Sequence, residues 1–327
     1  MGRTCMTAAP EASRRIVIGR CPLCGAAAPA PQATGASLRG EGALPHAESV
    51  SRQPEGSSAQ AEGVSPYAEA DGFEWVRCGC GLVFKRSGPA SPQGAGLDPG
   101  LGHYDRAYFS RYAGRRARRI RKSRTQILDA LEVAPPGPLL DVGCSLGYAL
   151  RAARSLGLGA SGVDVSEHAI AECRCAGFDA RPGTLTGLPF EDGRFAVVLL
   201  KHVFEHTPEP RAALQELRRV MRPGGAAFFA VPNLDYVKAR RSPADSRFFR
   251  GEAGRAHYVY YTPATLSRLV ESEGFRVASV HPRLVHRRAG MTRRLAESVV
   301  APLRIPVRLA MDALGLRKEF WLVAVSR

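Results

Sequence analysis

Three groups of residues have types and spacings that could do chemistry. Leu139 to Tyr148 reads L-L-D-V-G-C-S-L-G-Y, an apolar run that breaks into a glycine turn and then into helix-patterned sequence. Glycines there let the backbone turn tightly and approach a ligand, while the amino end of the following helix offers unpaired N–H donors. The turn is therefore built to hold a small charged molecule. A dinucleotide fingerprint would need G-x-G-x-x-G, yet Ser145 and Tyr148 stand where its second and third glycines belong, and no Gly-Lys-Ser/Thr of a phosphate loop follows. Farther on, Gly162-Val163-Asp164-Val165 ends a second apolar run with an acid, whose carboxylate can take both ribose hydroxyls of an adenosine.

The second group is His202-Val203-Phe204-Glu205-His206. A histidine that titrates near neutral pH can take the proton of a hydroxyl, with the bland alternative that His206 only braces its loop. The same residues spell H-x-x-E-H, a zinc-peptidase pattern that needs a helix showing both histidines on one face. Because His202 ends the apolar run Val197 to Lys201, and Pro208 and Pro210 interrupt an immediate helix, the peptidase reading is set aside. The third group is Cys21 and Cys24 in C-x2-C spacing with Cys78 and Cys80 in C-x-C spacing, each pair followed by glycine. In a reducing compartment such pairs point to a tetrahedral structural zinc before disulfides, with idle thiols as the alternative.

The elements that must position these groups follow from hydrophobic periodicity. From Pro138 onward short apolar runs (139–142, 160–165, 195–200, 226–231, 275–280, 320–325) alternate with helical patterns (148–156, 167–176, about 263–273), which predicts βαβ units and a mostly parallel sheet of the α/β class. A further helix keeps Leu214, Leu217 and Met221 on one side and turns Arg211, Arg218 and Arg219 away, with Pro223-Gly224-Gly225 expected to end it.

With these motifs in order, the sequence resembles the class I S-adenosylmethionine (SAM) dependent methyltransferases, whose first motif reads D-x-G-x-G-x-G and is followed by a strand-end acid. Leu188-Pro189-Phe190-Glu191-Asp192-Gly193-Arg194-Phe195, Val203-Phe204-Glu205-His206, Arg219-Val220-Met221-Arg222-Pro223-Gly224-Gly225 and Pro232-Asn233 match stretches of the branch that includes ubiquinone-biosynthesis O-methyltransferases and sugar methyltransferases. The resemblance implies a Rossmann-like, doubly wound fold over about 104–274 and again at 320–327. It also implies SAM as cofactor, held at its amino and carboxylate end by Asp141, Gly143, Cys144, Ser145 and Gly147, at the ribose by Asp164 and Val165, and at the adenine by Thr184 and Leu185. Tyr104 and Tyr108 resemble residues that close over SAM, and His257-Tyr258-Val259-Tyr260-Tyr261-Thr262 resembles a stretch beside the substrate pocket, so Glu205, His206 and His257 are the candidate catalytic residues. Related methyltransferases carry an N-terminal zinc-ribbon-like module with two C-x2-C knuckles and the ending C-G-L-V-F. This chain keeps Cys80-Gly81-Leu82-Val83-Phe84 but shortens the second knuckle. It also departs at Ser145, where the motif has glycine, and at Ala196, where the branch has aspartate.

The 327 residues suffice for one α/β domain and a small module: a zinc-ribbon-like unit over 1–86 with a disordered insertion at about 26–71, a linker at 87–102, and a catalytic domain over 103–327 with a basic helical insertion at about 283–318. Asn233 to Ala256 is long and basic, and is expected as a mobile lid. No apolar stretch has the length of a signal peptide or membrane span, which gives a cytoplasmic expectation. The formal charge of +16 suits a polyanion, but only five of the 46 basic residues are lysines, and the run Arg115 to Arg124 has no interleaved aromatics to stack bases. A small-molecule methyl acceptor is therefore the leading partner. The alternatives are an RNA methyltransferase and a non-catalytic SAM-binding module, and Arg287, Arg288, Arg293, Arg294 and Arg304 around a helix opened by Pro306 would permit peripheral contact with an anionic membrane.

Overall fold

The computed structural model describes residues 18–28, 63–87, 109, 116–236, 241–280 and 318–327. The expected linker beyond residue 87, Tyr104 and Tyr108, the stretch 29–62 of the expected insertion, and the basic segment 281–317 lie outside the described residues.

The apolar runs that alternate with helical patterns form a seven-stranded sheet in the order β10-β11-β8-β7-β4-β5-β6. Its strands are β4 (Leu139–Val142), β5 (Ala160–Asp164), β6 (Asp179–Pro182), β7 (Phe195–Lys201), β8 (Met221–Pro232), β10 (Phe275–Val280) and β11 (Glu319–Ser326). Pairing is parallel from β6 across to β8, and β11 runs antiparallel to both β8 and β10. Parallel neighbours need crossovers, supplied here by helices α2 (Tyr148–Arg154), α3 (Glu167–Cys175) and α4 (Pro210–Val220). The chain winds outward from β4 through β5 to β6 and then returns to β7 on β4's other side, so the strand order reverses between β4 and β7. At such a point the crevice outside the strands' carboxyl ends is open to a ligand.

Side-chain alternation along the central strands fills both faces. Val198 and Leu200 of β7 join Phe229 and Val231 of β8 in a core with Leu214 and Leu217 of α4 and with Leu266 and Leu269 of α6 (Pro263–Ser272). Val197, Leu199, Phe228 and Ala230 face Ile127 and Ala130 of α1 (Arg116–Leu131) and Ala149 and Ala152 of α2. A strand covered on both faces reads as one continuous apolar run, as Phe195 to Leu200 of β7 does. Helix α4 turns Arg211, Arg218 and Arg219 away from its buried Leu214 and Leu217, as the periodicity requires, but it ends at Val220. Pro223-Gly224-Gly225 instead lies inside β8, where the pairing of β7 with β8 slips between Phe195 and Val197 and so makes room for the proline and for Gly224 at φ 74°.

The N-terminal part differs from expectation in two ways. Residues Val64–Ala70, inside the span expected to be disordered, form strand β1, paired antiparallel with β2 (Phe73–Cys78). Trp75 and Phe73 of β2 supply the buried apolar surface against which that weak, half-exposed strand orders. The sheet then continues through β3 (Val83–Ser87) to β9 (Val259–Tyr260), a strand that lies between β8 and β10 in the chain. Cys21, Leu23, Val76, Leu82 and Phe84 belong to the same core cluster as β7, α4 and α6, so the module and the α/β domain do not have separate cores. Of the segment expected as a lid, 237–240 lie outside the described residues, and the described part is pinned to this sheet: Phe248 and Phe249 are buried against Trp75 and Tyr260, just before α5 (Gly251–Ala256).

Candidate functional site

The turn after β4 has the backbone that its glycines predicted. Gly143, Ser145 and Gly147 all lie in the left-handed region at φ 70°, 50° and 71°. A Cβ on Gly143 would sit 2.4 Å from Cγ2 of Val203, so two approaching loops as well as the dihedral require glycine there. Ser145 adopts a strained dihedral that glycine would hold freely, and its N–H donates to Oδ2 of Asp164 at 2.8 Å. Oδ1 of Asp164 accepts from the N–H of Ser166 at 2.9 Å. The carboxylate at the end of β5 therefore ties the turn after β4 to the start of α3. Cys144 lies in the same turn, but its side chain is buried among Leu150, Ile170 and Phe178 with its thiol 3.9 Å from that of Cys173, so only its backbone faces the crevice. Val165 is half-buried beside Asp164, while after β6 Thr184 is exposed and Leu185 buried.

Asp141, on β4 beneath the turn, is 4% exposed. Burial pushes its carboxyl up to about 7; Lys201 at the end of β7 pulls it back down and Asp164 pushes it up further. Lys201 donates to Oγ of Ser123 at 2.9 Å, and one turn along the same face of α1 the amide of Gln126 is fully buried with no hydrogen-bond partner for either polar atom among the described residues. Ser123, Gln126 and Lys201 were not singled out from sequence. Their signal was two polar residues on the face of α1 that also carries buried Ile127 and Ala130.

Across the crevice, Phe204–His206 form a single 3-10 turn after β7 instead of a helix. His202 takes φ 54° and places its ring between two carboxylates, Nδ1 3.3 Å from Glu205 and Nε2 3.0 Å from Glu319. Burial opposes its charged form, but the two carboxylates outweigh it and hold the imidazole up at about 9. His202 is thus a salt-bridged brace, which removes the helical metal pair a peptidase would need. Glu205 is 0% exposed; burial would raise its carboxyl, but His202, His206 and His257 together hold it below the usual range. His206 and His257 meet edge to face, with ring centroids 4.8 Å apart. Burial and then His206 push His257 down to about 3, so it is neutral. One ligand atom each from Glu205, His206 and His257 lies within 4.8 Å of the others.

The four cysteines of the N-terminal module also converge, with all four Sγ atoms within 4.8 Å of one another. Cys21 and Cys80 are 3.5 Å apart and Cys24 and Cys78 3.3 Å, near the roughly 3.8 Å edge of a tetrahedron with 2.3 Å metal–sulfur bonds. Backbone N–H groups of Leu23 and Cys24 face the Cys21 sulfur and that of Leu82 faces Cys80, as in a zinc knuckle. The shortened C-x-C arm closes because Gly81 turns back at φ 90°. Both cysteine turns are held by arginines of the α/β domain: Arg211 donates to the carbonyls of Pro22 and Leu23, and Arg268 to that of Cys80. Ala196, the departure at the start of β7, is fully buried at the strand end opposite the turn, its N–H bonded to Pro138 and its methyl where a Cβ on Gly137 would come within 2.8 Å. An aspartate would not fit there, and the position has no part in the site.

A mostly parallel sheet with a ligand turn at its switch point defines the Rossmann-like class, and comparison with known proteins gives the family. A family model described as a methyltransferase domain matches residues 112–280, more than half of the chain, and the chain belongs to that family. It is 30% identical over 176 residues to an uncharacterized 37.1 kDa protein in transposon TN4556 of Streptomyces fradiae, covering 50% of each chain. It is 28% identical over 148 residues to a ubiquinone biosynthesis O-methyltransferase of Thiobacillus denitrificans, covering 42% of this chain and 63% of the relative. The chain thus spans about half to just under two thirds of these relatives' lengths. A solved SAM-dependent methyltransferase from Thermotoga maritima is 17% identical, with a TM-score of 0.45, over 67% of this chain and 97% of its own.

Proposed function

We propose that this chain transfers the methyl group of SAM to a hydroxyl of a small-molecule acceptor. The observation that carries the reading is the turn Gly143–Gly147, closed onto Asp164 on one side of the crevice, with the Glu205, His206 and His257 group on the other. Asp141 would take the ammonium of SAM and the turn's N–H groups its carboxylate. Asp164 and Val165 would take the ribose, and Thr184 and Leu185 would flank the adenine. SAM supplies a methyl already activated on a sulfonium, so the residues need only align the acceptor and remove its proton.

His206 is suited to that removal. Its Nδ1 lies 3.1 Å from the carbonyl of Ala256, which can only accept, so the ring proton sits on Nδ1 and Nε2 presents a lone pair. In that role Nε2 of His206 would receive the proton of the acceptor hydroxyl, and the Glu205 carboxylate nearby would stabilise the imidazolium that results. Oxygen as the acceptor atom is supported by the O-methyltransferases among the relatives. The four thiolates of Cys21, Cys24, Cys78 and Cys80 would hold one structural zinc, which the knuckle N–H groups and the tetrahedral spacing support.

The test is His206→Ala assayed with a hydroxyl acceptor. The expected result is a kcat about a hundredfold lower with SAM affinity unchanged, because proton transfer matters only in the transition state. Full activity in that variant would remove the base from the reading.

A further inference from the structure

The acceptor-side group has a feature that a base alone does not explain. His257 Nδ1 lies 3.2 Å from the hydroxyl oxygen of Tyr260, and that hydroxyl donates to the carbonyl of Phe248. The hydroxyl has one proton and it is engaged, so His257 must be the donor through Nδ1, and its Nε2 carries a lone pair. His206 has the same tautomer for the same reason, its Nδ1 facing the Ala256 carbonyl. On Glu205 the oxygen Oε1 pairs with His202, while Oε2 is buried with no partner among the described residues. One ligand atom of each of the three residues lies within 4.8 Å of the others, and with both Nδ1 atoms and Oε1 engaged the atoms left to bind a ligand are the two Nε2 and Oε2.

Leaving a buried carboxylate oxygen unmatched is costly, and nothing within the group can donate to it. A cation satisfies all three at once. We propose that Glu205, His206 and His257 form a binding site for a divalent transition-metal ion of the zinc type, distinct from the four-thiolate cluster. The ligand set selects the metal: two imidazoles with one carboxylate suit zinc, cobalt or iron, whereas magnesium and calcium require oxygen ligands. Metal bonds of about 2.0–2.1 Å need ligand atoms about 3.4 Å apart, so atoms already within 4.8 Å close the site by moving about 1.5 Å or less. Each ligand is also oriented from behind. Ala256 fixes His206, Tyr260 fixes His257, and His202, itself held by Glu319, fixes Glu205, which is the arrangement that holds imidazole and carboxylate ligands for a metal. His202 in the H-x-x-E-H pattern is therefore an outer partner of a ligand, and the third ligand comes from residue 257. Three protein ligands leave a coordination position open toward the crevice.

Metal and proton compete for Nε2 of His206, so the loaded site lacks the free base. Binding does not depend on the proposed reaction, but this consequence rests on it. The experiment uses the full chain with its thiolate cluster filled with zinc, titrated with cobalt(II) as the probe. The expected result is about one further equivalent bound with a Kd on the order of micromolar, giving visible d–d bands without thiolate-to-metal charge transfer, so that the two sites are told apart. Glu205→Gln, His206→Asn and His257→Ala should each weaken it at least about tenfold while SAM binding and circular dichroism report an intact fold. Should Glu205→Gln not fold, His206→Asn, at a half-exposed position, decides. No such spectrum at millimolar cobalt, or an unchanged spectrum in His206→Asn, overturns the site. Zinc at one equivalent over the thiolate cluster should also lower kcat; undiminished turnover with the metal bound would sink the base assignment and leave the metal site standing.

Discussion

Asp141 gives the most quantitative handle on cofactor binding. Its carboxyl is buried at the end of the ligand-binding strand and raised to about 7, with Lys201 only partly offsetting the desolvation. At pH 6 about nine tenths of the empty protein carries a proton there, and at pH 8 about one tenth. If Asp141 takes the ammonium of SAM as proposed, it does so in its ionised form, and binding at low pH must release that proton. The sign follows: affinity is full above about pH 7 and falls as pH drops through it. Between pH 8 and pH 6 the Kd should rise about tenfold, or about 1.4 kcal/mol. Without SAM the same shift acts in reverse on folding, because the folded chain keeps a proton that the unfolded chain releases. Stability of the empty protein should therefore decline as pH rises from about 4 to about 7. Calorimetry at pH 6 and pH 8, in buffers of different ionisation enthalpy, measures both Kd and protons released. About 0.9 proton should leave at pH 6, and Asp141→Asn should abolish the release together with the pH dependence. A Kd independent of pH, with no proton exchanged at pH 6, would refute either the raised carboxyl or its contact with the ammonium.

Two further expectations follow from the contacts of the site and of the ribbon. Asp164→Ala removes two charge-assisted hydrogen bonds, to the N–H groups of Ser145 and Ser166, worth about 1.5–3 kcal/mol each. Calorimetry should show SAM affinity reduced at least about tenfold and a thermal melt should show a lower Tm; weaker binding with an unaltered Tm would mean the carboxylate serves the ribose alone. Cys78→Ser should lose one zinc per chain by elemental analysis and lower the Tm of the whole chain in a single transition, because the ribbon shares its core with α4 and α6. Metal loss that left the melting of the catalytic part untouched would contradict a shared core.

The parallel sheet was legible because burial on both faces writes strands as unbroken apolar runs, and β7, with all of Phe195 to Leu200 buried, is the plainest case. The glycine turn was legible because positive φ angles restrict residue choice, although Ser145 shows that the restriction is a cost and not a prohibition. Strand β1 was hidden, since it is half-exposed, broken by Pro66 and dependent on Trp75 and Phe73 across the sheet for its order. The shared core was hidden for a related reason: Leu82 and Phe84 look alike in sequence whether they pack on their own module or on α6. Most of the polar network was also invisible. Nothing in the spacing of His202 and Glu319 announces that they meet, because antiparallel pairing of β11 with β8 is what brings residues 117 positions apart together.

The shared sheet gives the ribbon a consequence beyond its own stability. Strand β9 begins two residues after His257, and it is ordered by pairing with β3, where Val83 opposes Tyr260 and Phe84 opposes Val259. Lys85, buried beneath Phe73 and Tyr258, reinforces that pairing: its N–H donates to the carbonyl of Tyr258 and its ammonium to that of Arg255. On the other side of the same residues, the N–H of Tyr258 donates to the carbonyl of Glu205 at 2.8 Å and the carbonyl of Ala256 fixes the tautomer of His206. A short chain segment, 255–260, is therefore clamped between the ribbon and the turn after β7, and it carries His257 and Tyr260 into the site. A two-residue strand has too few hydrogen bonds to hold a catalytic geometry by itself. The cysteine cluster lies in the module that presents β3, and β3 pairs with the strand that follows His257. The four cysteines and the positions of His206 and His257 are in this way parts of one packed unit.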